Sequence, residues 1–148
     1  MTASIIIPAR FKSSRFPGKP LTKLQLKNGE SKPLIQLSWE AAKQVDGIRK
    51  LYIATDDFEI KRTAESFGAD VIMTSSKCEN GTARCAEAIK VANINDDIII
   101  NFQGDAPLTP KCFVETLISN MKKDKTIKVA TPILQCDKNH FSKLVEDR

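Results

Sequence analysis

Short runs of apolar, β-branched residues alternate along the chain with longer stretches in which apolar residues recur at helical spacing. The short runs predict buried strands at residues 4–8, 51–55, 71–73, 98–102 and 129–131. The longer stretches predict helices that begin behind Pro33, at Asp56 or Asp57, at Asn80 and at residues 109–110. This alternation predicts an α/β fold with a mainly parallel sheet and helices on both faces, because the strands are apolar throughout.

The composition limits the classes of protein to which the chain can belong. Its 148 residues suffice for one domain, residues 1–148, and its 41% hydrophobic and 28% charged residues argue against wholesale disorder. Its apolar runs are far shorter than the ~18 residues of a membrane span. The first residues lack the basic and apolar regions of a signal peptide, so we expect a cytoplasmic protein without a membrane partner. Four cysteines without a C-x-x-C pair and a single histidine argue against a zinc site.

The net charge of +5 is concentrated near the start of the chain. Residues 10–32 contain seven lysines and arginines and one acid, Glu30. Such a segment suits a polyanion, although a solvated basic surface is the plain alternative. Aromatic residues make up only 6% of the chain and no zinc motif is present, so we expect no nucleic-acid partner.

A long basic loop, residues 8–21, follows the first predicted strand, where ~2–6 residues would be usual. Its cations, hydroxyls and glycine are Arg10, Lys12, Arg15, Lys19, Ser13, Ser14 and Gly18. In a parallel sheet this loop lies at the carboxyl edge, where ligands bind. Forked arginines, point-charge lysines and approachable backbone amides suit a polyphosphate. The P-loop and dinucleotide-binding patterns are absent, and a solvated loop is the alternative.

A second loop places a carboxylate at the same edge. Asp105 follows the predicted strand 98–102 through Gly104, so its side chain is expected opposite the basic loop. A carboxylate beside a phosphate-binding loop favours a divalent cation, because Mg²⁺ takes one or two protein carboxylates and completes its shell with phosphate and water. The alternative is an aspartate that serves only a turn or a helix cap.

The two loops together carry a resemblance to a known family. The segments IIIPARFKSSRFPGKPL and INFQGDAPL resemble the sugar-acid cytidylyltransferases, above all the 3-deoxy-manno-octulosonate (Kdo) type. The stretches LYIATDDFEIKRTAESFGADVIMTS and CENGTARCAEAI resemble the family's second strand with its following helix and its S-G-T-E-R segment. The resemblance runs from Ser4 to about Val145 and implies a Rossmann-like nucleotide-binding domain of the nucleotide-diphospho-sugar transferase type.

The resemblance also implies a reaction and a set of site residues. The anomeric hydroxyl of a 2-keto-3-deoxy sugar acid would attack the α-phosphorus of CTP, giving the CMP-sugar and pyrophosphate for lipopolysaccharide precursor synthesis. It implies catalytic roles for Arg10, Lys19 and Asp105, with Asp105 binding Mg²⁺. The implied nucleotide-binding residues are Ala9, Arg10, Ser13, Arg15, Lys19, Arg84 and Gln103. The residues suggest no general base.

Departures from the family pattern leave several alternatives open. Ala83 and Ala106 replace acids of the family motifs, and Asp57 replaces a histidine, which leaves room for an amino-substituted or otherwise altered sugar acid. The resemblance covers the family's N-terminal part, and the remainder would supply a second metal-binding aspartate, much of the sugar pocket and a homodimer surface. A related acylneuraminate-type enzyme and a non-catalytic module that binds a nucleotide or a partner chain are the alternatives.

Overall fold

The computed structural model of the chain describes residues 1–12, 16–133 and 135. Its strands are β1 (Ala3–Ala9), β2 (Lys23–Gln25), β3 (Ser31–Pro33), β4 (Lys50–Thr55), β5 (Asp70–Met73) and β6 (Ile98–Asn101). Its α-helices are α1 (Leu34–Lys43), α2 (Phe58–Ser66), α3 (Gly81–Val91) and α4 (Lys111–Lys123). Across the described ranges, no helix combines the length and apolar character needed to cross a membrane.

The main sheet has the strand order β5-β4-β1-β6, and every neighbouring pair is parallel. Residues 4–9 of β1 pair with residues 50–55 of β4, and residues 3–6 pair with residues 98–101 of β6. The chain moves outward from β1 to β4 and β5 and then returns to the other side of β1. This reversal creates a switch point between the carboxyl ends of β1 and β6, where open α/β sheets bind ligands.

Helices cover both faces of the sheet, as the sequence predicts. Ile5 and Ile7 of β1 pack in a cluster with apolar residues of α1, α2 and α4. Ile6 points to the opposite face and packs with Cys85 and Ala88 of α3. Successive residues of a strand point to opposite faces, so a continuous apolar run needs this double cover.

The predicted helix starts are confirmed at the residue level. Asp57, one of the two candidates, caps α2 by accepting hydrogen bonds from the amides of Glu59 and Ile60, both at 2.9 Å. Asn80 caps α3 by accepting one from the amide of Ala83 at 2.9 Å. These caps satisfy amide groups that have no partner inside the helix.

The predicted strand at residues 129–131 is wrong. This segment has no regular structure, and Val129 is 88% exposed. Its two β-branched residues, Val129 and Thr131, favour extended backbone, but a strand is stabilised only when a neighbour accepts its hydrogen bonds and covers its side chains. The segment pairs with none of the described strands, so local propensity alone does not form one.

A small antiparallel hairpin escaped the sequence analysis. β2 and β3 pair antiparallel beside the main sheet, and the amide of Leu26 donates to the carbonyl of Glu30 at 2.8 Å. Gly29 has a φ of 84°, which glycine adopts without strain. The Asn28-Gly29 pair was the available signal, since this dipeptide is typical of tight turns between strands.

A buried ion pair joins the segments at the amino edge of the sheet. The Asp96 side chain is fully buried and accepts two hydrogen bonds from Arg49, both at 2.7 Å, and one from Ser4 Oγ at 2.6 Å. The hydrogen bond from Arg49, together with that from Ser4, holds the pKa of Asp96 well below its ordinary value. Asp96 therefore ties β1 to the segments that precede β4 and β6.

Replacing Asp96 by asparagine is expected to lower the free energy of unfolding at pH 7 by about 2 kcal/mol, less than for a wholly buried pair because Arg49 is half exposed. The pKa of Asp96 is lower in the folded than in the unfolded chain. The ionised carboxylate therefore stabilises the fold fully above the ordinary pKa of about 3.9, and this stabilisation fades as the pH falls below that value. The difference in the free energy of unfolding between the variant and the unaltered chain, measured by urea unfolding, should therefore be smaller at pH 3 than at pH 7.

The control is Asp70→Asn, because Asp70 forms an exposed pair with Lys50 at 3.6 Å and should contribute little. An Asp96→Asn variant as stable as this control at pH 7 would contradict the prediction.

Candidate active site

A cavity of about 610 Å³ opens at the carboxyl edge of the sheet, at the switch point. It is lined by Pro8, Ala9, Arg10, Phe16, Lys19, Pro20, Leu34, Asn80, Gly81, Arg84, Gln103, Gly104 and Asp105. The structure thus brings six of the predicted site residues to one place: Ala9, Arg10, Lys19, Arg84, Gln103 and Asp105. Ser13 and Arg15, the other two, lie outside the described residues.

The far end of the basic loop is fixed by glycine. Gly18 has a φ of 72°, and its amide donates a hydrogen bond to the carbonyl of Phe11 at 2.9 Å. A Cβ atom at Gly18 would lie 3.3 Å from the Phe11 ring, so the ring packs closely against this backbone. Lys19 then begins a short 3-10 helix, Lys19–Leu21, which directs the lysine toward the cavity.

The two predicted loops meet in an ion pair. Lys19 Nζ lies 2.6 Å from Asp105 Oδ2, and both side chains are about half exposed, at 46% and 49%. Exposed pairs of this kind contribute little to stability, so both groups can turn to a ligand at small cost. The sequence predicted these residues at the same edge, and the structure adds that they pair directly.

Close backbone packing sets the position of Asp105. The buried Ser38 hydroxyl of α1 donates to the carbonyl of Gly104 at 2.8 Å. A Cβ atom at Gly104 would lie 3.0 Å from the carbonyl oxygen of Pro8, so a side chain would push the two loops apart. Gly104 therefore allows the ends of β1 and β6 to approach, which places Asp105 opposite Lys19.

The remaining predicted residues differ in their surroundings. Arg10 Nη1 donates to the carbonyl of Glu79 at 3.3 Å. Gln103 Nε2 donates to Asn101 Oδ1 at 3.3 Å. Arg84 lines the cavity but is only 2% exposed, and its terminal nitrogens lie close to other protein groups.

Sequence reasoning missed several residues that shape this site. Asn80 was predicted only as a helix cap, yet it lines the cavity with Gly81. Asp56 and Thr74 contact Arg84 from the ends of β4 and β5. Their place directly after predicted strands was the available signal, because the carboxyl ends of parallel strands lie at one edge.

Two thiols lie near this region, but they are not suited to act as nucleophiles. Burial raises the pKa of Cys85 to about 12. Burial and the hydrogen bond to Glu87, at 2.9 Å, raise the pKa of Cys78. A thiol must ionise to attack, and both shifts favour the protonated thiol.

The carboxylates in the described ranges do not form a self-sufficient metal site. No group of three or more His, Cys, Asp or Glu side chains there could hold a metal ion. Asp105 is nevertheless accessible at the cavity, where it pairs with Lys19 and shares the lining with Arg10, two cations that suit phosphates. This donor set fits Mg²⁺ bound jointly by one carboxylate and by the phosphates of a ligand.

Two sequence comparisons relate the chain to known proteins. The family profile described as Cytidylyltransferase matches residues 4–143. The chain is 46% identical over 120 residues to the 8-amino-3,8-dideoxy-manno-octulosonate cytidylyltransferase of Shewanella pealeana, covering 80% of the chain and 47% of that protein. It is 42% identical over 118 residues to the 3-deoxy-manno-octulosonate cytidylyltransferase of Zea mays, covering 80% and 38%.

Solved structures agree with these matches. The structure of CMP:2-keto-3-deoxy-manno-octonic acid synthetase complexed with CTP superimposes with a TM-score of 0.77 and 41% identity, covering 86% of the chain and 50% of that protein. A cytidylyltransferase from Leptospira borgpetersenii shares the fold at 23% identity, with a TM-score of 0.69 and 84% and 50% covered. The chain therefore spans half or less of the length of these relatives.

Gly104→Ala is expected to lower the free energy of unfolding by about 1–3 kcal/mol, because the added methyl group overpacks the contact with Pro8. Urea unfolding measures the change. Gly29→Ala is the control, since the space around Gly29 is open and only the strain of its positive φ, about 1 kcal/mol, should appear. A Gly104→Ala variant as stable as the unaltered chain would show that the loops separate freely.

Proposed function

This chain belongs to the cytidylyltransferase family, and we propose that it serves the transfer of CMP from CTP to a sugar acid of the 3-deoxy-manno-octulosonate type, with release of pyrophosphate. The observation that carries the proposal is the switch-point cavity in which Lys19 of one loop pairs with Asp105 of the other. Relatives named for this reaction share 42–46% identity with the chain. The proposed setting is lipopolysaccharide precursor synthesis in the cytoplasm.

The proposed nucleotide contacts follow from charge and position. Arg10 and Lys19 are the cations of the cavity that have accessible side chains, and they would hold the triphosphate. The backbone of Ala9 and the amide of Gln103 line the same cavity and would contact the nucleoside part. Ser13 and Arg15 complete the proposed set. This arrangement suits a chain of phosphates better than a neutral ligand, because both cations line the cavity.

Asp105 is the proposed Mg²⁺ ligand. When bound, Mg²⁺ would neutralise charge on the phosphates and help the pyrophosphate to leave. Among the described residues Asp105 is the carboxylate that lines the cavity, and a single carboxylate of this kind suits a cation that the nucleotide brings with it. Lys19 would then turn from Asp105 to a phosphate oxygen.

The proposed reaction asks the protein mainly to position charged groups. The hydroxyl oxygen of the sugar acid forms a bond to the α-phosphorus, the bond to the pyrophosphate oxygen breaks, and the hydroxyl proton passes to water. Such transfers depend on alignment and on stabilising the developing charge. Arg10 and Lys19 would hold the leaving pyrophosphate, and Asp105 would hold the cation.

The acceptor has two candidates within one chemical class. One is 3-deoxy-manno-octulosonate, and the other is its 8-amino-8-deoxy form, for which the Shewanella pealeana relative is named. Pyrophosphate release with each acid separates the two candidates. Because the chain spans half or less of the relatives, nucleotide binding without turnover is the second candidate function, and a binding experiment must come before turnover.

CTP is expected to bind the chain more tightly than UTP, ATP or GTP, as measured by calorimetry with Mg²⁺. Lys19→Ala should weaken CTP binding about tenfold, because a charge-assisted contact is lost. Lys111→Ala is the matched control, since Lys111 pairs with Asp46 and lies outside the cavity lining. Absence of nucleotide binding to the folded chain would refute the proposed function.

Asp105→Asn is expected to change both CTP binding without Mg²⁺ and the effect of Mg²⁺ on that binding. Without Mg²⁺, the variant should bind CTP about two- to fivefold more tightly, because Lys19 loses its competing carboxylate. Mg²⁺ should raise the CTP affinity of the variant less than that of the unaltered chain, because the proposed Mg²⁺ ligand is gone. Asp46→Asn, which breaks the exposed pair with Lys111, should leave both affinities unchanged. Equal Mg²⁺ effects in the variant and the unaltered chain would exclude Asp105 as the ligand.

A further inference from the structure

Arg84 is a charged residue in an unusual place. It lies in the first turn of α3 and borders the cavity, yet it is only 2% exposed. Arginine is rarely buried, because removing its charge from water costs free energy unless partners replace the lost hydration. The role of Arg84 therefore depends on which groups surround its guanidinium.

The guanidinium joins the start of α3 to the ends of two strands. Nη1 donates a hydrogen bond to Thr74 Oγ1 at 2.6 Å, and Thr74 directly follows β5. Nη2 lies 3.1 Å from Asp56 Oδ1, and Asp56 directly follows β4. The amide of Thr74 also donates to the carbonyl of Thr55 at 2.9 Å, so the two strand ends are already connected.

Asp56 depends on Arg84 for compensation of its charge. Its Oδ1 atom is buried and accepts no hydrogen bond within the described part of the chain. Arg84 is its ion-pair partner there, at a distance without hydrogen-bond alignment. Removing one partner of a buried pair leaves an uncompensated charge, so each of the two groups restrains the other.

The first turn of α3 forms one wall of the cavity. Asn80 and Gly81 line it, and a Cβ atom at Gly81 would lie 3.1 Å from Cγ of Pro8. Just before this turn, the carbonyl of Glu79 accepts the hydrogen bond from Arg10 Nη1 at 3.3 Å. A displacement of the turn would therefore move both the cavity wall and the acceptor that holds Arg10.

We propose that Arg84 is a positioning residue that, with Asp56 and Thr74 as its anchors, fixes the start of α3 as a wall of the nucleotide cavity. Its two terminal nitrogens point to these protein groups, so the residue acts on the nucleotide through the position of the turn. The inference rests on the proposed CTP binding, and it assigns to Asp56 an indirect part in that binding.

The test compares CTP affinity in Asp56→Asn, Arg84→Met and the double variant, by calorimetry well below the unfolding temperature. Asp56→Asn keeps the shape of the side chain and should weaken CTP binding about five- to tenfold. The double variant should bind no more weakly than Arg84→Met alone, because both changes remove the same link. If Arg84 contacts phosphate directly, Asp56→Asn should instead preserve or strengthen binding, which would overturn the inference.

Arg49→Met is the matched control, since it breaks the Arg49–Asp96 pair at the opposite edge of the sheet. It should lower stability without changing CTP affinity, which separates positioning from a general loss of stability. A second measurement needs no nucleotide: amide hydrogen exchange at Ala83 and Arg84 should become about tenfold faster in Asp56→Asn and stay unchanged in Arg49→Met.

The two measurements keep the two proposals apart. If the unaltered chain binds no CTP, the proposed function fails, and the exchange rates still decide whether Arg84 and Asp56 fix α3. If the unaltered chain binds CTP and Asp56→Asn changes neither affinity nor exchange, only the positioning role is refuted. Should Arg84→Met fail to fold, Asp56→Asn carries the test by itself.

Discussion

Parallel pairing of β1 with a strand on each side is the constraint on which the rest of the molecule depends. All the strands of the main sheet run in the same direction, so the loops that follow them meet at one edge. β1 is apolar on both faces, so helices must cover both, and each connecting helix returns the chain to the amino edge. The reversal between β1 and β6 then opens a crevice at the centre of the sheet, between the basic loop and Asp105.

The walls of this crevice depend on how closely backbone segments approach Pro8. Gly104 packs against the carbonyl oxygen of Pro8, and Gly81 packs against its ring. A larger side chain at either glycine would widen the crevice. The carboxylate of Asp105 and the first turn of α3 are thereby held near the same strand end, and Lys19 reaches across from the basic loop to pair with Asp105. The close packing of these glycines against Pro8 therefore brings the charged groups of the site together.

Much of the sheet and its helices could be predicted, because the spacing of apolar residues and the residues that cap helices are local features of the sequence. The isoleucine runs predict buried strands, and Asp57 and Asn80 mark helix starts whichever way the chain folds. The burial of Arg84 could not be predicted this way, because Thr74 and Asp56 approach it only when two strand ends meet. Val129 shows the converse limit, since β propensity predicts a strand where no described strand provides a partner.

Two arginine–aspartate pairs at opposite edges of the sheet differ in how well the carboxylate of each is satisfied by hydrogen bonds. Arg49 meets Asp96 through two hydrogen bonds at 2.7 Å, and Ser4 adds a third, so the carboxylate is well satisfied. Arg84 meets Asp56 at 3.1 Å, and the buried Oδ1 accepts no hydrogen bond among the described residues. Folded proteins satisfy nearly all buried polar atoms, and the exceptions gather where function constrains the chain. The well-satisfied pair joins three segments at the amino edge of the sheet, and the poorly satisfied pair lies at the edge where α3 forms a wall of the cavity. We expect this difference if the Arg84–Asp56 pair is arranged to position the first turn of α3 rather than to form the strongest possible ion pair.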